Sequence, residues 1–298
     1  MYDIVILGSG PAGLTAALYG ARANKKTLII AGDSLYGTLN QIPHLENYPG
    51  WSGSGRDLGA FMQKQATDAG AEVIMASATR ITNHESPITI ECDNGETYLA
   101  KTVIVATGAK PRKMLIPGAR EYIGKGVSYC ATCDGSFYNG EDVVIIGGGN
   151  SALQDALYMA NIAKSVKIIY RKDSFARAED IVVKRVEDAS NISVLWNTEL
   201  SEIGGTDMAV THVVTTDGAR IDTTGVFIAI GHEANTDYLS EDIKRGDAGR
   251  LIAENMPTGM YVAGDVRDGI KLQVATAVGW GCEVAMDCIA FLNEKNQS

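Results

Sequence analysis

Cys130 and Cys133 are the residues of this chain that point most directly to chemistry, because they form a Cys-x-x-Cys pair followed at once by Asp134. Two thiols at this spacing can close into a disulfide and open again, so the pair can store two electrons. Zinc sites use the same spacing, but they need two further ligands. The other cysteines and the histidines are scattered along the chain: Cys92, Cys282, Cys288, His44, His84, His212 and His232. The pattern therefore predicts redox chemistry and no metal site, with a pair of inert buried cysteines as the remaining alternative.

A glycine-rich turn follows the first apolar stretch of the chain. Gly8, Gly10 and Gly13 have the Gly-x-Gly-x-x-Gly spacing, between a predicted strand and a helix-forming segment. This order is the context that a dinucleotide-binding motif needs, because the glycines give the tight turn, the approach of the pyrophosphate and close helix packing. The helix N-terminus supplies free N–H groups for the phosphates. The residues predicted to bind the dinucleotide here are Gly8, Ser9, Gly10, Pro11, Ala12 and Gly13.

A second copy of this motif starts at Asp142 and aligns without gaps with the motif that starts at Asp3. Its glycine positions hold Gly147, Gly149 and Ala152. A repeat this long indicates a duplicated domain rather than a solenoid. The residues predicted to bind a nucleotide here are Gly147, Gly149, Asn150 and Ser151. Two nucleotide sites on either side of a dithiol suggest that electrons pass from one carrier through another to sulfur.

The residues after the second strand of each copy differ in charge. Asp33 ends that strand in the first copy and can hold a ribose hydroxyl, as acids do in NAD-type sites. In the second copy the strand ends at Arg171 and Lys172, with Arg177 beyond, and such cations suit a 2′-phosphate. The first site is therefore predicted to bind FAD and the second NADPH. A solvated basic loop is the alternative for the cations.

Four longer motifs carry a resemblance to a known family. They are Ser128 to Gly135 around the dithiol, Gly225 to His232, Gly264-Asp265-Val266, and Glu46 to Gly50. With them the chain resembles the low-molecular-weight thioredoxin reductases almost from end to end. The resemblance implies that Cys133 faces the flavin, that Cys130 attacks the partner disulfide, and that Asp134 is the acid/base. A helix N-cap is the alternative role for Asp134.

The resemblance also extends the predicted FAD site. In such flavoproteins an Asp at the place of Asp265 binds the ribityl chain, although an ordinary helix cap is its alternative here. The further residues assigned to FAD are Asn47, Ala106, Thr107, Gly108, Gln273 and Val274. The expected partner is thioredoxin or a thioredoxin-like disulfide protein, and the family implies a homodimer.

The chain departs from the family pattern at several positions near the expected cofactors. Tyr36-Gly37-Thr38-Leu39 replaces Gly-Gly-Gln-Leu, and Tyr170, Lys172, Ala234 and Leu272 replace His, Arg, Pro and Arg. Arg177 also comes one residue late. Two enzyme alternatives therefore stay open, namely a relative that takes electrons from ferredoxin or a deazaflavin, and an oxygen-using dithiol oxidase. A flavin-bound redox sensor is the non-enzyme alternative, whereas an alkyl-hydroperoxide-reductase flavoprotein is disfavoured.

Composition and charge narrow the partners and the cellular location that are expected for the protein. The chain has 298 residues and a net charge of −10, which disfavours a general role on nucleic acid or anionic membranes. The start of the chain leaves no room for a secretory signal, and no run of residues is expected to reach transmembrane length. Five cysteines without a disulfide framework suit a reducing cytosol. A cytoplasmic location is therefore expected.

The order of the motifs predicts an α/β fold of two Rossmann-like, three-layer domains, the second inserted into the first. Residues 1–112 and 237–298 are assigned to the FAD-binding domain, and 113–236 to the NADPH-binding and disulfide domain. Hairpin turns are predicted at Asn94-Gly95 and at Asp217-Gly218. Linkers near Pro111 and Thr236 are expected to allow one domain to rotate against the other.

Overall fold

The computed structural model describes residues 1–82 and 87–295 of the chain. In these ranges the helices are α1 (Pro11–Arg22), α2 (Gly55–Asp68), α3 (Ala131–Asp134), α4 (Asn150–Ala160), α5 (Asp180–Asp188) and α6 (Val274–Lys295). The strands of the first half are β1 (Tyr2–Leu7), β2 (Thr27–Ile30), β3 (Leu45–Tyr48), β4 (Trp51–Gly53), β5 (Glu72–Ile74), β6 (Ala78–Thr82), β7 (Ile88–Cys92), β8 (Thr97–Val105) and β9 (Ala109–Pro111). Those of the second half are β10 (Val127–Ser128), β11 (Asp142–Ile146), β12 (Ser165–Ile169), β13 (Ile192–Leu195), β14 (Leu200–Gly205), β15 (Val210–Thr215), β16 (Arg220–Asp222), β17 (Gly225–Ile228), β18 (His232–Ala234) and β19 (Met260–Val262).

The chain divides into two compact units. The first unit contains Met1–Lys110 and Glu233–Ser298, and the second contains Pro111–His232. Both passages between the units lie within short strands, because β9 and β18 pair with each other around them. The segment predicted as a linker before Arg112 is therefore partly a strand. Thr236, where the second linker was expected, is buried, and its hydroxyl accepts a hydrogen bond from Arg245 within the first unit.

The first unit is built on one sheet with the strand order β5-β2-β1-β8-β7-β6. Strands β5, β2, β1 and β8 run parallel, whereas β7 and β6 run antiparallel to their neighbours. Strand β19 pairs in parallel with the carboxyl half of β8, through Val103 to Val105. The predicted Asn94-Gly95 turn joins β7 to β8, so the predicted hairpin continues the main sheet instead of forming a separate layer.

Alternation along β1 separates the two faces of this sheet. Ile4 and Ile6 lie in one cluster with α1 and the buried residues of α6, while Val5 and Leu7 lie in another with β6, β7 and residues 238–266. Small residues on α1 and α6 let the helices approach closely, since a side chain at Gly281 would collide with the backbone of Ala12. This packing fixes the start of α1 against the sheet.

The second unit has a five-stranded parallel sheet with the order β10-β17-β11-β12-β13. One face packs on α4 and α5 through residues such as Ile145 and Phe227. The other face, with Val144 and Val226, packs on the antiparallel sheet β14-β15-β16. The predicted turn at Asp217-Gly218 joins β15 to β16. This unit therefore has three layers.

Helix α6 is long and apolar. An 18-residue window within its 22 residues has a mean hydropathy of 1.4, so by length and composition alone it is long enough to cross a membrane. The expectation that no run reaches that length is wrong for this helix. Core helices of globular proteins pass the same test, and Ala277, Val284, Ala285, Cys288 and Leu292 are buried against the sheet of the first unit.

Candidate redox and nucleotide-binding sites

Cys130 and Cys133 form a disulfide across the single turn of α3, with their Cα atoms 5.3 Å apart. Cys130 is the N-cap of this helix, in an extended conformation, and its sulfur accepts a hydrogen bond from the N–H of Cys133 at 3.2 Å. Ser128, which is buried in β10, accepts from the N–H of Cys130 at 3.0 Å and donates to its carbonyl at 3.2 Å. The redox pair is therefore anchored to the edge strand of the second unit.

The helix that carries the disulfide rests directly on α4. A Cβ atom at Gly135 would lie 2.7 Å from the sulfur of Met159 and 3.1 Å from the ring of Tyr158. Ala131 is buried in the same cluster as Ala156. Only small residues allow this approach, so the sequence Ala131 to Gly135 sets the position of the dithiol on the helical face of the sheet.

The two sulfur-bearing residues and the acid next to them differ in exposure. Cys133 is exposed, while Cys130 and Asp134 are half-buried. Asp134 ends α3 and makes no side-chain capping bond to the 3-10 helix that follows, which argues against its alternative role as an N-cap. Burial and then the charge of Asp134 raise the pKa of Tyr138. Within the part of the chain that the structure describes, the carboxyl of Asp134, the residue after Cys133, therefore has no hydrogen bond or ion pair.

Two of the three remaining cysteines, Cys92 and Cys288, are buried in settings that disfavour redox chemistry. Burial raises the pKa of the Cys92 thiol to about 11 and that of Cys288 to about 12, so both stay protonated near neutral pH. Within the described residues no three His, Cys, Asp or Glu side chains are grouped so as to hold a metal ion. His84, one of the four scattered histidines, lies outside the described residues.

The turn after β1 has the backbone that its glycines predict. Gly8 has a φ of 105°, and a Cβ atom there would collide with the carbonyl of Ala106. A Cβ at Gly13 would collide with the carbonyl of Gly8, whereas one at Gly10 would meet nothing within 4 Å. Helix α1 begins at Pro11 and has no side-chain cap. An open face at Gly10 beside free N–H groups is what a pyrophosphate needs.

Two residues predicted to bind the cofactor near this turn, Ser9 and Thr107, also make hydrogen bonds within the protein. Ser9 is buried, and its hydroxyl donates to the carbonyl of Ala31 and accepts from the N–H of Tyr36, both at 3.2 Å. The hydroxyl of Thr107 donates to the carbonyl of Asn235 at 2.7 Å. Both side chains therefore hold the loops around the turn, while their backbone atoms remain beside it.

Asp33 lies at the end of β2, as predicted, and its exposed carboxylate accepts a hydrogen bond from the hydroxyl of Ser77. This bond orients an acid at the position where a ribose is expected. Asp265 lies in a 3-10 turn, Gly264–Val266, and burial raises the pKa of its carboxyl. Because α6 begins only at Val274, Asp265 is not the cap of that helix.

Other predicted FAD residues of the first unit come together around the start of α6. Asn47, on β3, donates from its side-chain amide to Gln273 at 3.2 Å, immediately before Val274. A Cβ at Gly264 would lie 2.8 Å from the Cβ of Ala12, so the turn with Asp265 touches the first turn of α1. The first unit therefore brings the glycine-rich turn after β1 together with the turn at Gly264–Val266.

The turn after β11 repeats the first turn. Gly147 has a φ of 140°, and a Cβ there would collide with the carbonyl of Ala229. Gly149, like Gly10, faces open space, and α4 begins at Asn150 without a side-chain cap. Ser151 is exposed on the first turn of α4. The second unit thus offers the same backbone cradle for a phosphate.

Asn150, which is predicted to bind the nucleotide, also bonds to the residue that precedes α5. Its side-chain oxygen accepts from the N–H of Glu179 at 2.7 Å, and its amide donates to the carboxylate of Glu179 at 3.0 Å. This pair of bonds ties the glycine turn to the segment 171–178. We call that segment, which contains Arg171, Lys172 and Arg177, the cation loop.

The three cations of this loop are available for an anion. Arg171, Lys172 and Arg177 are exposed, and within the part of the chain that the structure describes none has an ion pair or a side-chain hydrogen bond. They follow β12, the strand next to the glycine turn. The loop therefore carries unpaired positive charge at the strand end where the ribose of a dinucleotide is recognised.

A family model described as pyridine nucleotide-disulphide oxidoreductase matches residues 2–281. The chain belongs to this family. The thioredoxin reductase of Coxiella burnetii is 38% identical over 318 residues, which cover 100% of this chain and 98% of that protein. These matches confirm the predicted resemblance, and they confirm that the chain is an enzyme of this oxidoreductase family.

Two solved structures are informative for fold and donor. The thioredoxin reductase of Lactococcus lactis in its FR conformation has a TM-score of 0.94 and 35% identity, and the match covers 99% of this chain and 100% of that one. A ferredoxin-flavin thioredoxin reductase of Clostridium acetobutylicum has a TM-score of 0.54 and 25% identity, covering 100% and 99%. The predicted α/β fold with two Rossmann-like domains is confirmed, and the second of these relatives is named for ferredoxin as well as flavin.

Asp155 is a residue of this oxidoreductase that sequence reasoning did not single out. It lies on α4 among Ala152, Ala156 and Met159, the residues that pack with Ala131 beneath the disulfide helix. Burial raises the pKa of its carboxyl to about 7, and it has no hydrogen bond or ion pair among the described residues. The available signal was an acid inside the apolar stripe of a helix.

Proposed function

We propose that this oxidoreductase moves electrons from NADPH through FAD and the Cys130–Cys133 pair to the disulfide of thioredoxin or a thioredoxin-like protein. The observation that carries the proposal is the disulfide across α3 in a chain whose two units have the same glycine turn. Neither turn alone specifies a reaction, but a redox-active pair with two dinucleotide cradles suits a relay between nucleotide and sulfur.

The residues of the first unit fit FAD. Open space at Gly10 and the uncapped start of α1 suit its pyrophosphate, and the carboxylate of Asp33 suits a ribose hydroxyl. The half-buried carboxyl of Asp265 lies beside that turn and suits a hydroxyl of the ribityl chain. When bound, FAD supplies the means to pass an electron pair from a nicotinamide to a disulfide.

The residues of the second unit fit NADPH better than NADH. Gly149 and the start of α4 suit the pyrophosphate, and Lys172 takes the position that Asp33 has in the first unit, with Asp173 as the next residue. Arg171 and Lys172 would pair with a 2′-phosphate, which NADH lacks. We assign discrimination between the two nucleotides to these cations and to Arg177.

The exchange at sulfur assigns a separate role to each residue of the pair. Asp134 takes the proton of the Cys130 thiol, the resulting thiolate attacks one sulfur of the partner disulfide, and the other partner sulfur leaves as a thiolate that takes this proton back from Asp134. Cys133 then attacks Cys130 as its own proton passes to Asp134, which closes the internal disulfide. The second partner sulfur leaves and takes that proton. Two electrons and two protons pass to the partner. The position of Asp134 supports this assignment, because its half-buried carboxyl directly follows Cys133 in the chain and makes no hydrogen bond among the described residues.

The test is an anaerobic titration of the purified flavoprotein with NADPH and, separately, with NADH, followed by flavin absorbance. Prompt bleaching by NADPH at concentrations where NADH is slow is the expected result. A Lys172→Ala variant serves as the matched control, because it should weaken the response to NADPH and leave that to NADH unchanged. If neither nucleotide bleaches the flavin while dithionite does, the proposed donor is wrong.

A second candidate differs only in the donor. Tyr170, Lys172 and Leu272 depart from the family pattern, and one relative is a ferredoxin-flavin thioredoxin reductase. In that case reduced ferredoxin, a reduced deazaflavin or, in the oxidative direction, oxygen would exchange electrons with the flavin. Turnover of a disulfide protein with reduced ferredoxin and without NADPH would favour this candidate. A redox sensor, by contrast, would show no steady turnover with either donor.

Three further properties belong to the proposal through the family. We assign Met1–Lys110 with Glu233–Ser298 to FAD and Pro111–His232 to NADPH and the disulfide. Since the chain passes between these units only twice, rotation of one against the other would let Cys130 reach an external protein. A homodimer and a cytoplasmic location are also proposed. Sedimentation at micromolar concentration and fractionation of cells would test them.

A further inference from the structure

Three aromatic side chains meet at the carboxyl ends of β12 and β13 in the second unit. The rings of Phe175 and Trp196 have centroids 4.4 Å apart, Tyr170 and Phe175 stack at 5.8 Å, and Tyr170 meets Trp196 edge-on at 6.3 Å. We call these residues the aromatic cluster. It adjoins the cation loop, because Tyr170 directly precedes Arg171 and Phe175 lies within the loop.

Tyr170 also lies on the glycine turn. A Cβ atom at Gly148 would be 2.5 Å from three carbons of its ring, so the ring covers the backbone there. The corresponding residues of the first unit are Ser9 and Ala31, which are joined by a hydrogen bond and place no ring at this point. The aromatic cluster therefore occurs at the second nucleotide site and has no counterpart at the corresponding positions of the first.

Backbone bonds hold Trp196 next to the first residues of the cation loop. The N–H of Tyr170 donates to Leu195 at 3.0 Å, and the N–H of Thr198 donates to Tyr170 at 3.1 Å. Asn197, with a φ of 53°, donates to the carbonyl of Lys172 at 3.1 Å. Trp196 thus has a fixed place across from the point where a 2′-phosphate is expected.

The exposure of the three rings differs. Tyr170 and Phe175 are each 8% exposed, whereas Trp196 is 38% exposed. The first two rings therefore support the indole, which presents part of its surface to solvent. An aromatic ring held by two others beside a cluster of unpaired cations is suited to a flat base whose phosphates the cations bind.

We propose that Trp196 is the surface on which the purine base of the bound nucleotide stacks. The inference rests on the proposed NADPH site, because the base and the 2′-phosphate are attached to the same ribose. With the 2′-phosphate on Arg171 and Lys172, the base lies within one ribose width of the strand end, where Trp196 is held. The ligand class is an adenine nucleotide, and stacking adds to affinity without distinguishing NADPH from NADH.

The test measures the affinity of the flavin-loaded protein for 2′,5′-ADP and for 5′-AMP by calorimetry. Trp196→Ala should bind both ligands about 5- to 150-fold more weakly, which is the usual effect of removing an aromatic stacking partner. Trp196→Leu keeps apolar volume without an aromatic face and should show the same loss, whereas Trp196→Phe should stay within about 3-fold of the wild type. Ligand binding should also quench indole fluorescence in the wild type more than in Trp196→Phe.

Matched variants separate stacking from charge and from folding. Lys172→Ala should weaken 2′,5′-ADP alone, so the ratio of the two affinities changes there and not in the Trp196 variants. Trp280→Phe, a tryptophan of the first unit, should leave both affinities unchanged. Equal affinities in wild type and in the Ala and Leu variants would overturn the inference. An equal loss of affinity in the Ala, Leu and Phe variants of Trp196 would also overturn the inference, because that result would mean that Trp196 supports the fold and does not stack on the base.

The same measurement separates this inference from the proposed donor. If the wild type binds 2′,5′-ADP and the Trp196 variants bind it equally well, only the stacking role is wrong. If the wild type binds neither ligand, the NADPH site and the stacking role are both wrong.

Discussion

Replacing Asp155 by asparagine is expected to flatten the pH dependence of the free energy of unfolding. Burial raises the pKa of this carboxyl from 3.8 to about 7, so the folded protein holds its proton more tightly than the unfolded chain does. Between these two values the native state binds more protons than the unfolded state. The stabilising effect of the protonated carboxyl is therefore complete below pH 3.8 and is lost as the pH rises towards 7.

The magnitude follows from the width of that window. One pKa unit corresponds to about 1.4 kcal/mol, so the interval between the two pKa values gives roughly 4 kcal/mol. This is an upper limit, because Asp155 is only half-buried and no partner fixes its carboxyl. Asparagine has nearly the same shape and no charge. Asp155→Asn should therefore match the wild type near pH 4 and exceed its stability at pH 8 by roughly 1–4 kcal/mol.

Urea unfolding followed by circular dichroism, at pH values from 4 to 8 and with saturating FAD, measures this difference. Asp188→Asn, at the exposed end of α5 in the same unit, removes the same charge and serves as the control. Its curve should run parallel to that of the wild type. Parallel curves for Asp155→Asn as well would refute the reasoning, since they would mean that the carboxyl is solvated in the folded protein.

Three further substitutions test the sites described above. Gly149→Ala should weaken NADP⁺ binding at least about 10-fold with little change in melting temperature, because its Cβ points into open space where a pyrophosphate approaches. Gly147→Ala should instead destabilise the fold, because its Cβ would collide with the carbonyl of Ala229. A loss of stability in Gly149→Ala without one in Gly147→Ala would contradict this account of the turn. Cys130→Ser should abolish disulfide turnover and retain FAD, and surviving turnover would show that Cys130 is not the attacking sulfur. Gly135→Ala should cost roughly 1–3 kcal/mol of stability through its clash with Met159, with Ser136→Ala as the exposed control, and an unchanged urea midpoint would show that α4 yields easily.

The sequence predicts the parts of the site that are local in the chain. Both glycine turns follow from spacing and context, because strand, turn and helix are adjacent residues and their geometry depends on the glycines themselves. The same holds for Asp33 and the cation loop, which lie at strand ends. The disulfide helix is also local, since Cys130 caps it with its own sulfur.

Contacts between residues that lie far apart in the chain could not be predicted from the sequence. Asn150, predicted to bind a nucleotide, is also bonded to Glu179, and Ser9, predicted to bind FAD, is also bonded to Ala31 and Tyr36. Nothing in the spacing of these residues reveals a partner that tertiary packing brings near. The segment at Ala109–Pro111 was assigned to a linker for the same reason, because its pairing strand lies more than a hundred residues later.

The exchange of Ser9 and Ala31 in one unit for Gly148 and Tyr170 in the other constrains the order in which the two copies could diverge. A tyrosine introduced opposite a serine would meet its Cβ at a distance that no packed structure tolerates. A glycine introduced first leaves only a small gap and removes the two hydrogen bonds of the serine hydroxyl. If the ancestral turn resembled that of the first unit, the change to Gly148 had to come before the change to Tyr170. The reverse order would have passed through a turn in which the ring and a serine Cβ collide.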